Sequence, residues 1–492
     1  MGLKTIGVEE VDVERDGNIA AEVRAIETHT GRTATARAHR FTFFAKSVDR
    51  PSFRFLPDRY FIGYAVVLQL TLEKRWSAPR TLAYVYEAIF RHSAHLDEKS
   101  KGWKGLLNNY VHVGRRFQCQ AGGRTYRLTG TYFRQQNTYT AVCAHASLCM
   151  LLNNLPTMRE LVTAEDINQK LGITHRGKRR VAGGLTTEQI RRVLKAYGQS
   201  DITHDFFKYP DADYAQFVYG VVESGYPCLL VTTTAPGRES HVVTVLGHTM
   251  NTDKWLPEAR VLYEGQDFSC HSSVNWATHL IIHDDNFGNY LCAETNSVRR
   301  ITLPSYEMRF RPRVAIGVLP CRVQARHPDV EEIVVHRMPW ETLLAMLVSH
   351  PDVASMKWLP RLFRELTKGN RLVTRTFLAT REAYRSHLRE AKDFQRRGYT
   401  KKEVALLTAG FPVYFWVTEV SLPDLYAVNR TKLADVVVPC DRRLRRRNPF
   451  ENILLLRLPG LYYNPANVPF LSFVPLGDVQ SHIPLFGTDR GW

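Results

Sequence analysis

Residues Gln136–Pro156 read QNTYTAVCAHASLCMLLNNLP. Small and polar residues fill the first part of this stretch, and an apolar run follows from Cys143 to Leu152. The pattern predicts a helix that begins at Cys143 and ends where the two asparagines and the proline stop it. A thiol at a helix N-terminus lies at the positive end of the helix dipole, which favours the nucleophilic thiolate. Cys143 is therefore our candidate nucleophile.

Three apolar runs downstream of this helix predict strands, and polar residues stand at the ends of two of them. The runs are Cys228–Val231, His241–Leu246 and His279–Ile282. A histidine that starts a buried strand just after a loop is rigidly held yet reachable from solvent, as a general base must be. His241 has this position. Asp284 and Asp285 follow the third run and precede the turn signal Asn286-Phe287-Gly288, so either carboxylate could orient the imidazole.

The order of these motifs resembles the papain-like cysteine peptidases, particularly the type that cleaves bacteriocin leader peptides after a double glycine. In those families the cysteine heads a helix, the histidine follows a Gly-x-Pro strand, and an aspartate precedes a glycine turn. Here Gly225-Tyr226-Pro227 precedes the strand before His241, and Asp285 begins an Asp-x-x-Gly turn. The helix predicted at Thr186–Tyr197, with a capping box, also resembles a helix of that family.

The resemblance implies a Cys-His-Asp triad and an oxyanion donor supplied by a glutamine about six residues before the cysteine. Gln136 lies seven residues before Cys143 (143 − 136 = 7), and Asn137 lies six residues before it. We favour Gln136, because its longer side chain can reach around a loop that is one residue longer. Among the acids we favour Asp285 over Asp284, because it begins the turn. Ala144 stands where the family has a glycine after the cysteine.

The resemblance concerns residues 126–322, and regions of mixed strand-like and helix-like pattern flank them. We predict an α+β protein in which a papain-like domain, with a cysteine-headed helix and an antiparallel sheet carrying histidine and aspartate, lies between regions 1–125 and 323–492. No motif assigns a role to the first region. The last region is a candidate for substrate or partner docking.

Local patterns in the flanking regions predict individual elements. In the first region, residues 60–70 predict a strand, residues 117–128 predict a hairpin, and apolar side chains recur at helical spacing at Leu82, Val85, Tyr86 and Ile89. In the last region, residues 340–348 and 400–409 predict helices, and residues 413–418 and 453–456 predict strands.

The chain is basic, with 66 Lys and Arg against 48 Asp and Glu and a net charge of +18. The densest basic runs are His175–Arg180 and Arg442–Arg447, and neither is interleaved with aromatic residues as a base-stacking surface would be. The net positive charge makes an acidic protein or a nucleic acid a candidate partner, beside a protein or peptide substrate.

The cysteines are scattered without a paired short spacing, which argues against a disulfide framework or a zinc ribbon. Cys143, His145 and Cys149 are offset by two and six residues, so the first two face different sides of a helix and no zinc site is expected. The N-terminus lacks a secretory signal, and no apolar stretch of membrane-spanning length occurs. These features predict a soluble, cytoplasmic protein that needs no cofactor.

Together these patterns predict a cysteine hydrolase of peptide or isopeptide bonds that uses Cys143, His241, Asp285 and Gln136. Two other classes stay open. An acyltransferase or transglutaminase would use the same residues with an amine in place of water. A catalytically inactive binding protein would keep the fold and use its basic surface.

Overall fold

The computed structural model describes residues 3–47, 55–75, 77–91, 108–111, 113–176, 184–210, 213–233, 240–250, 261–264, 269–295, 299–303, 306–320, 323–340, 371–390, 399–423, 426, 431–458, 461–469, 472–475 and 483–486. Helices and sheets are mixed, which confirms the predicted α+β class. None of the helices in these ranges is long and apolar enough to cross a membrane.

The elements are numbered in chain order. The helices are α1 (Gly17–Thr30), α2 (Cys143–Asn153), α3 (Ala164–Leu171), α4 (Thr187–Ala196), α5 (Tyr214–Glu223), α6 (His327–Glu331), α7 (Arg381–Glu390) and α8 (Lys401–Leu407). The strands are β1 (Thr5–Val11), β2 (Thr33–Phe44), β3 (Phe61–Lys74), β4 (Ser77–Arg91), β5 (Asn108–Val111), β6 (Arg115–Ala121), β7 (Arg124–Phe133), β8 (Ser200–Asp205), β9 (Cys228–Thr233), β10 (Ser240–Met250), β11 (Val261–Glu264), β12 (Ser269–Ser272), β13 (His279–Asp284), β14 (Gly288–Glu294), β15 (Arg299–Leu303), β16 (Tyr306–Leu319), β17 (Arg371–Thr380), β18 (Tyr414–Ser421), β19 (Thr431–Lys432), β20 (Ala434–Pro439), β21 (Leu455–Leu458), β22 (Leu461–Tyr463), β23 (Val474–Pro475) and β24 (Ile483–Pro484).

The chain divides into two compact units whose boundaries differ from the predicted ones at 125 and 322. The first unit comprises Met1–Tyr214, Gly225–His248 and His279–Pro320, and the second comprises Ala215–Ser224, Thr249–Thr278 and Cys321–Trp492. The predicted N-terminal region therefore shares a unit with most of the predicted peptidase region. Local pattern does not reveal this division, because contacts between residues far apart in sequence define it.

The first sheet of the first unit is antiparallel, in the order β1-β2-β3-β4-β7-β6. Strand β3 and the hairpin β6–β7, which turns through two glycines at positive φ, confirm the sequence predictions. The helical spacing read at residues 82–89 was misleading, because these residues form β4. Tyr84, Tyr86 and Ala88 are buried at alternate positions, so the period of two prevails once β3 and β7 pair on either side.

The second sheet of this unit has the order β14-β13-β10-β9-β16-β15, with β8 on β16 and β5 on β10. Strands β9, β10 and β13 confirm the three predicted strands. Strands β10 and β13 are antiparallel neighbours, and Thr244 lies opposite His283. The start of β10 therefore lies beside the end of β13, which brings His241 next to Asp284.

One apolar core joins both sheets of the first unit to α2, α3 and α4. It includes Phe44, Phe61 and Tyr126 of the first sheet, with the last two rings stacked at 4.6 Å between centroids. It also includes Leu152 of α2 and Val242 of β10. Burial of such side chains stabilises the fold by roughly 1.5–3 kcal/mol each, so the N-terminal sheet and the part of the predicted peptidase region in the first unit share one stabilising core.

Helix α4 begins with the predicted capping box. The Gln189 N–H donates to Thr186 Oγ1 at 3.2 Å, and the Thr186 N–H donates to Gln189 Oε1 at 2.9 Å. These two bonds satisfy N–H groups that a helix start otherwise leaves unpaired, which is why the local sequence is sufficient to predict this terminus.

The second unit is built on a sheet of order β11-β12-β17-β18-β20-β21-β22-β23. Helices α7 and α8 pack on it through a core that includes Tyr384, Leu407 and Phe415. The predicted capping box of Thr400 and Glu403 begins α8, and the strands predicted at 413–418 and 453–456 appear as β18 and, two residues later, β21. Of the helix predicted at 340–348, residues 341–348 lie outside the described residues.

Candidate active site

Cys143 is the first residue of α2 and is partly exposed, whereas the rest of the helix is buried. The Val142 N-cap supplies no side-chain hydrogen bond. The first N–H groups of a helix have no intrahelical partner, so the backbone N–H of Cys143 belongs to the positive end of α2. The predicted helix start is confirmed, and Cys143 is the partly exposed first residue of an otherwise buried helix.

Two hydrogen bonds fix α2 on β10. Ser147 Oγ donates to the Val242 carbonyl at 2.8 Å, and Thr244 Oγ1 donates to the Ser147 carbonyl at 3.0 Å. Ser147 lies four residues after Cys143, about one turn along the same helix face. Anchoring Ser147 beside Val242 therefore brings Cys143 toward His241, and the Cys143 side chain is one of the groups that raise the pKa of His241.

The imidazole of His241 reaches two buried carboxylates at the end of β13. His241 Nε2 lies 3.1 Å from Asp284 Oδ1 and 3.8 Å from Asp285 Oδ1, and neither carboxylate side chain is exposed. The hydrogen bond is made by Asp284, whereas the sequence favoured Asp285. The strand ends at Asp284, where the Asn286 N–H donates to Asp284 Oδ1 at 2.9 Å. This turn halts the strand alternation, so both carboxylates approach the same ring.

The sequence of this turn itself contains a pattern that favours Asp284. Aspartate often accepts an N–H two residues later when it opens a turn, and Asp284-Asp285-Asn286 permits this at Asp284. The family resemblance placed the turn one residue later, at Asp285. Asn286 itself was not predicted as a site residue, although it contacts both Asp284 and Gln136.

The surroundings of His241 raise its pKa from 6.5 to about 10. Burial alone lowers the pKa, but the hydrogen bonds with Asp284 and Cys143 and the negative charges of Asp284 and Asp285 outweigh it. The ring is therefore an imidazolium at neutral pH. Burial raises the pKa of other thiols, that of Cys149 to about 11 and that of Cys119 to about 12, so they stay protonated.

The two candidate oxyanion donors have different surroundings. Asn137 is buried, and its Oδ1 accepts the N–H groups of Tyr139, Thr140 and Ala141 at 2.9, 2.9 and 3.0 Å. Its Nδ2 donates to Glu22 Oε1 at 2.9 Å and to Thr140 Oγ1 at 3.0 Å. The Asn137 amide is thus fully occupied by the protein.

Gln136 is partly exposed and lies beside the turn that carries Asp284. Its Nε2 donates to Asn286 Oδ1 at 2.6 Å. Gln136 therefore lies beside the turn that follows Asp284, whereas the Asn137 side chain is bonded to Glu22 and to its own loop.

Three of the candidate site residues, His241, Asp284 and Asp285, are close enough together to bind a metal ion. The ligand atoms of His241, Asp284 and Asp285 lie within 4.8 Å of one another, a group of carboxylate and imidazole donors within the described part of the chain. The alternative zinc set does not assemble. His145 Nε2 is bonded to Asn168 Oδ1 at 2.9 Å, and Cys149 lies against the Arg134 guanidinium.

The basic run Arg442–Arg447 lies in the second unit. Arg445 pairs with Glu451, Arg446 Nη2 lies 3.0 Å from Glu332 Oε2, and both arginines are well exposed. Residues of this run and Arg326 line a cavity of about 500 Å³. The other basic run, His175–Arg180, lies partly outside the described residues. Ion pairs thus neutralise part of the predicted basic surface.

No protein family matches the chain, and no curated protein matches its sequence. Among the solved structures that match is the peptidase domain of Streptococcus ComA, a bi-functional ABC transporter involved in a quorum sensing pathway. The match has 15% sequence identity and a TM-score of 0.20, and it covers 38% of this chain and 96% of that chain. We therefore infer the function from the site geometry.

Proposed function

We propose that the first unit is a papain-like cysteine peptidase that hydrolyses peptide or isopeptide bonds. The observation that carries the proposal is the position of His241 between Cys143 and Asp284, with Asp284 at 3.1 Å from Nε2. A nucleophile, a base and an orienting acid in contact are the requirements for acyl transfer through a covalent intermediate. The helix headed by Cys143 and the neighbouring antiparallel strands β10 and β13 support the papain-like assignment.

In this mechanism the Cys143 thiolate attacks the carbonyl carbon of the scissile bond. A carbon–sulfur bond forms, the carbonyl electron pair moves to oxygen, and the His241 imidazolium donates its proton to the departing amine as the carbon–nitrogen bond breaks. Water then attacks the thioester while His241 accepts the water proton. The carbon–sulfur bond then breaks, sulfur leaves as the thiolate, and the proton stays on His241, which releases the acid and restores the thiolate–imidazolium pair.

Asp284 holds the imidazole in this cycle. Its hydrogen bond to Nε2 fixes the orientation of the ring, and its negative charge stabilises the imidazolium. Asp285 contributes a second negative charge at 3.8 Å without a hydrogen bond to the ring. We therefore assign the orienting role to Asp284 and a supporting electrostatic role to Asp285.

The oxyanion that forms during attack needs donors at the helix start. The Cys143 backbone N–H and the Gln136 side chain are the groups we assign. In the resting structure the Gln136 side chain donates to Asn286. To donate to the oxyanion, its amide must release Asn286 and turn toward the substrate oxygen when the substrate binds. Asn137 is not used, because its amide already holds the loop.

The proposal is tested with a peptide library incubated with wild type, Cys143→Ala and Cys149→Ala. Cys149 is a matched control, since it lies on the same helix and burial raises the pKa of its thiol to about 11. We expect cleavage by wild type and Cys149→Ala and none by Cys143→Ala, and iodoacetamide should label wild type at Cys143 first. Cleavage that survives in Cys143→Ala contradicts the proposal. Amide products formed only with an added amine would indicate an acyltransferase, and an unreactive Cys143 would indicate a binding protein.

A further inference from the structure

Gln136 is flanked on both sides by anchors to elements of the first 125 residues. On one side, the Gln135 N–H donates to the Val85 carbonyl at 2.9 Å, and the Val85 N–H donates to Gln135 Oε1 at 2.8 Å. These two bonds clamp residue 135 to β4. The backbone that carries the assigned oxyanion donor therefore leaves the N-terminal sheet immediately before Gln136.

On the other side, Asn137 organises the loop that leads to Cys143. Its N–H donates to the Ala141 carbonyl at 3.0 Å, and its side-chain oxygen collects the next N–H groups of the loop, those of residues 139–141. The loop is thereby closed between Asn137 and Ala141, and Ala141 lies two residues before Cys143. Its geometry determines how Gln136 and the Cys143 N–H lie relative to each other.

The remaining side of the Asn137 amide is held by Glu22 of α1. Glu22 Oε1 accepts from Asn137 Nδ2 at 2.9 Å and from the Tyr84 hydroxyl at 2.6 Å, and Glu22 Oε2 accepts from Arg134 Nη2 at 2.9 Å. Burial raises the pKa of Glu22, but the Arg134 charge and the three hydrogen-bond donors outweigh it and lower the pKa overall. The carboxylate thus stays charged inside the core.

The loop needs such support because its backbone is strained. Thr138 has φ of 64°, in the left-handed region that a β-branched residue rarely adopts. This conformation costs about 1–3 kcal/mol and persists where the surroundings over-determine it. The hydrogen bonds around Asn137 supply that constraint.

We infer that Glu22 is a positioning residue for the oxyanion side of the active site, acting through Asn137 on the loop 137–141. The inference rests on the proposed function. It gives the N-terminal helix and sheet a role as part of the catalytic body, because they hold the backbone on both sides of Gln136.

The test compares two variants that differ only at position 22. Both carry Tyr84→Phe and Arg134→Met, so that neither a buried hydroxyl nor a buried cation is left unpaired when the carboxylate is removed. One adds Glu22→Gln, which keeps an acceptor for Asn137. The other adds Glu22→Met, which removes it. Replacing a buried ion pair with apolar groups of similar volume is often tolerated, so both variants are expected to fold.

We expect Glu22→Met to lower kcat at least about tenfold relative to Glu22→Gln, with KM within about twofold, because oxyanion donors act in the transition state. Alkylation of Cys143 should stay within about twofold, since it needs the thiolate and no oxyanion. Amide hydrogen exchange at residues 139–141 should become faster. A merely structural role would lower the melting temperature and leave the kcat of the folded protein unchanged.

Equal kcat in the two variants overturns the inference, and so does equal exchange protection of the loop. Glu87→Gln is a matched control, because Glu87 also accepts a tyrosine hydroxyl, that of Tyr64 at 2.8 Å, without contacting the loop. It should leave kcat unchanged. If wild type shows no cleavage that depends on Cys143, the proposed function fails, and the exchange measurement still decides whether Glu22 holds the loop.

Discussion

The pair Asp284→Asn and Asp285→Asn tests the assignment of the orienting carboxylate. The substitutions are identical, the residues are adjacent, and both side chains are fully buried. Asp284 Oδ1 lies 3.1 Å from His241 Nε2, within hydrogen-bond distance, whereas the nearer oxygen of Asp285 lies at 3.8 Å. A hydrogen bond to a charged group contributes about 1.5–3 kcal/mol. Since about 1.4 kcal/mol is tenfold in rate, Asp284→Asn should lower kcat/KM by roughly 10–150-fold.

Asp285→Asn should lower kcat/KM by less than about threefold, because it removes a charge but no hydrogen bond to the ring. Its melting temperature should not fall, since removing one of two adjacent buried carboxylates relieves their repulsion. The assay is steady-state cleavage of a peptide selected from the library, across pH. In Asp284→Asn the alkaline limb should also move to lower pH, because the largest influence that raises the pKa of His241 is lost. Equal losses in the two variants, or a larger loss in Asp285→Asn, would refute the assignment.

Two further predictions concern stability. The pKa of His241 is about 10 in the fold against 6.5 ordinarily, so the folded state holds the extra proton between these values. This stabilisation is complete below pH 6.5, and the free energy of unfolding falls by up to about 1.4 kcal/mol per pH unit toward pH 10. Chemical denaturation at several pH values should find this pH dependence in wild type and not in His241→Gln. In the second unit, Arg457→Leu removes one of the two cations paired with buried Asp435, the other being Lys432, and should lower the free energy of unfolding in urea by up to about 3–5 kcal/mol. Arg445→Leu, which removes an exposed ion pair, should leave that transition unchanged, and similar shifts in both would contradict the argument.

Features that depend on a short stretch of chain were predictable from the sequence. The start of α2 at Cys143 follows from the change from polar loop to apolar run, and the start of α4 follows from the capping box at Thr186. The strand that begins beside His241 follows from its run of β-branched residues. In each case the groups that make the structure lie within a few residues of each other, so the local pattern contains the cause.

Features that depend on a partner elsewhere in the chain were not predictable. The spacing of residues 82–89 fits a helix as well as a strand, and pairing with β3 and β7 makes them β4. Asp284 and Asp285 are chemically identical, and the turn at the end of β13 selects Asp284 for the hydrogen bond. Nothing local distinguishes them by distance to a ring on another strand.

The amide pair Gln136 and Asn137 shows the same division. The sequence by itself places Gln136 and Asn137 seven and six residues before Cys143, and it predicted that Cys143 heads a helix. Tertiary structure distinguishes the two amides, because Glu22, more than a hundred residues earlier, binds Asn137, whereas Gln136 lies beside the turn that follows Asp284. A hydrogen bond forms only between atoms that the fold has brought within about 3 Å, and that distance arises from the packing of the whole unit.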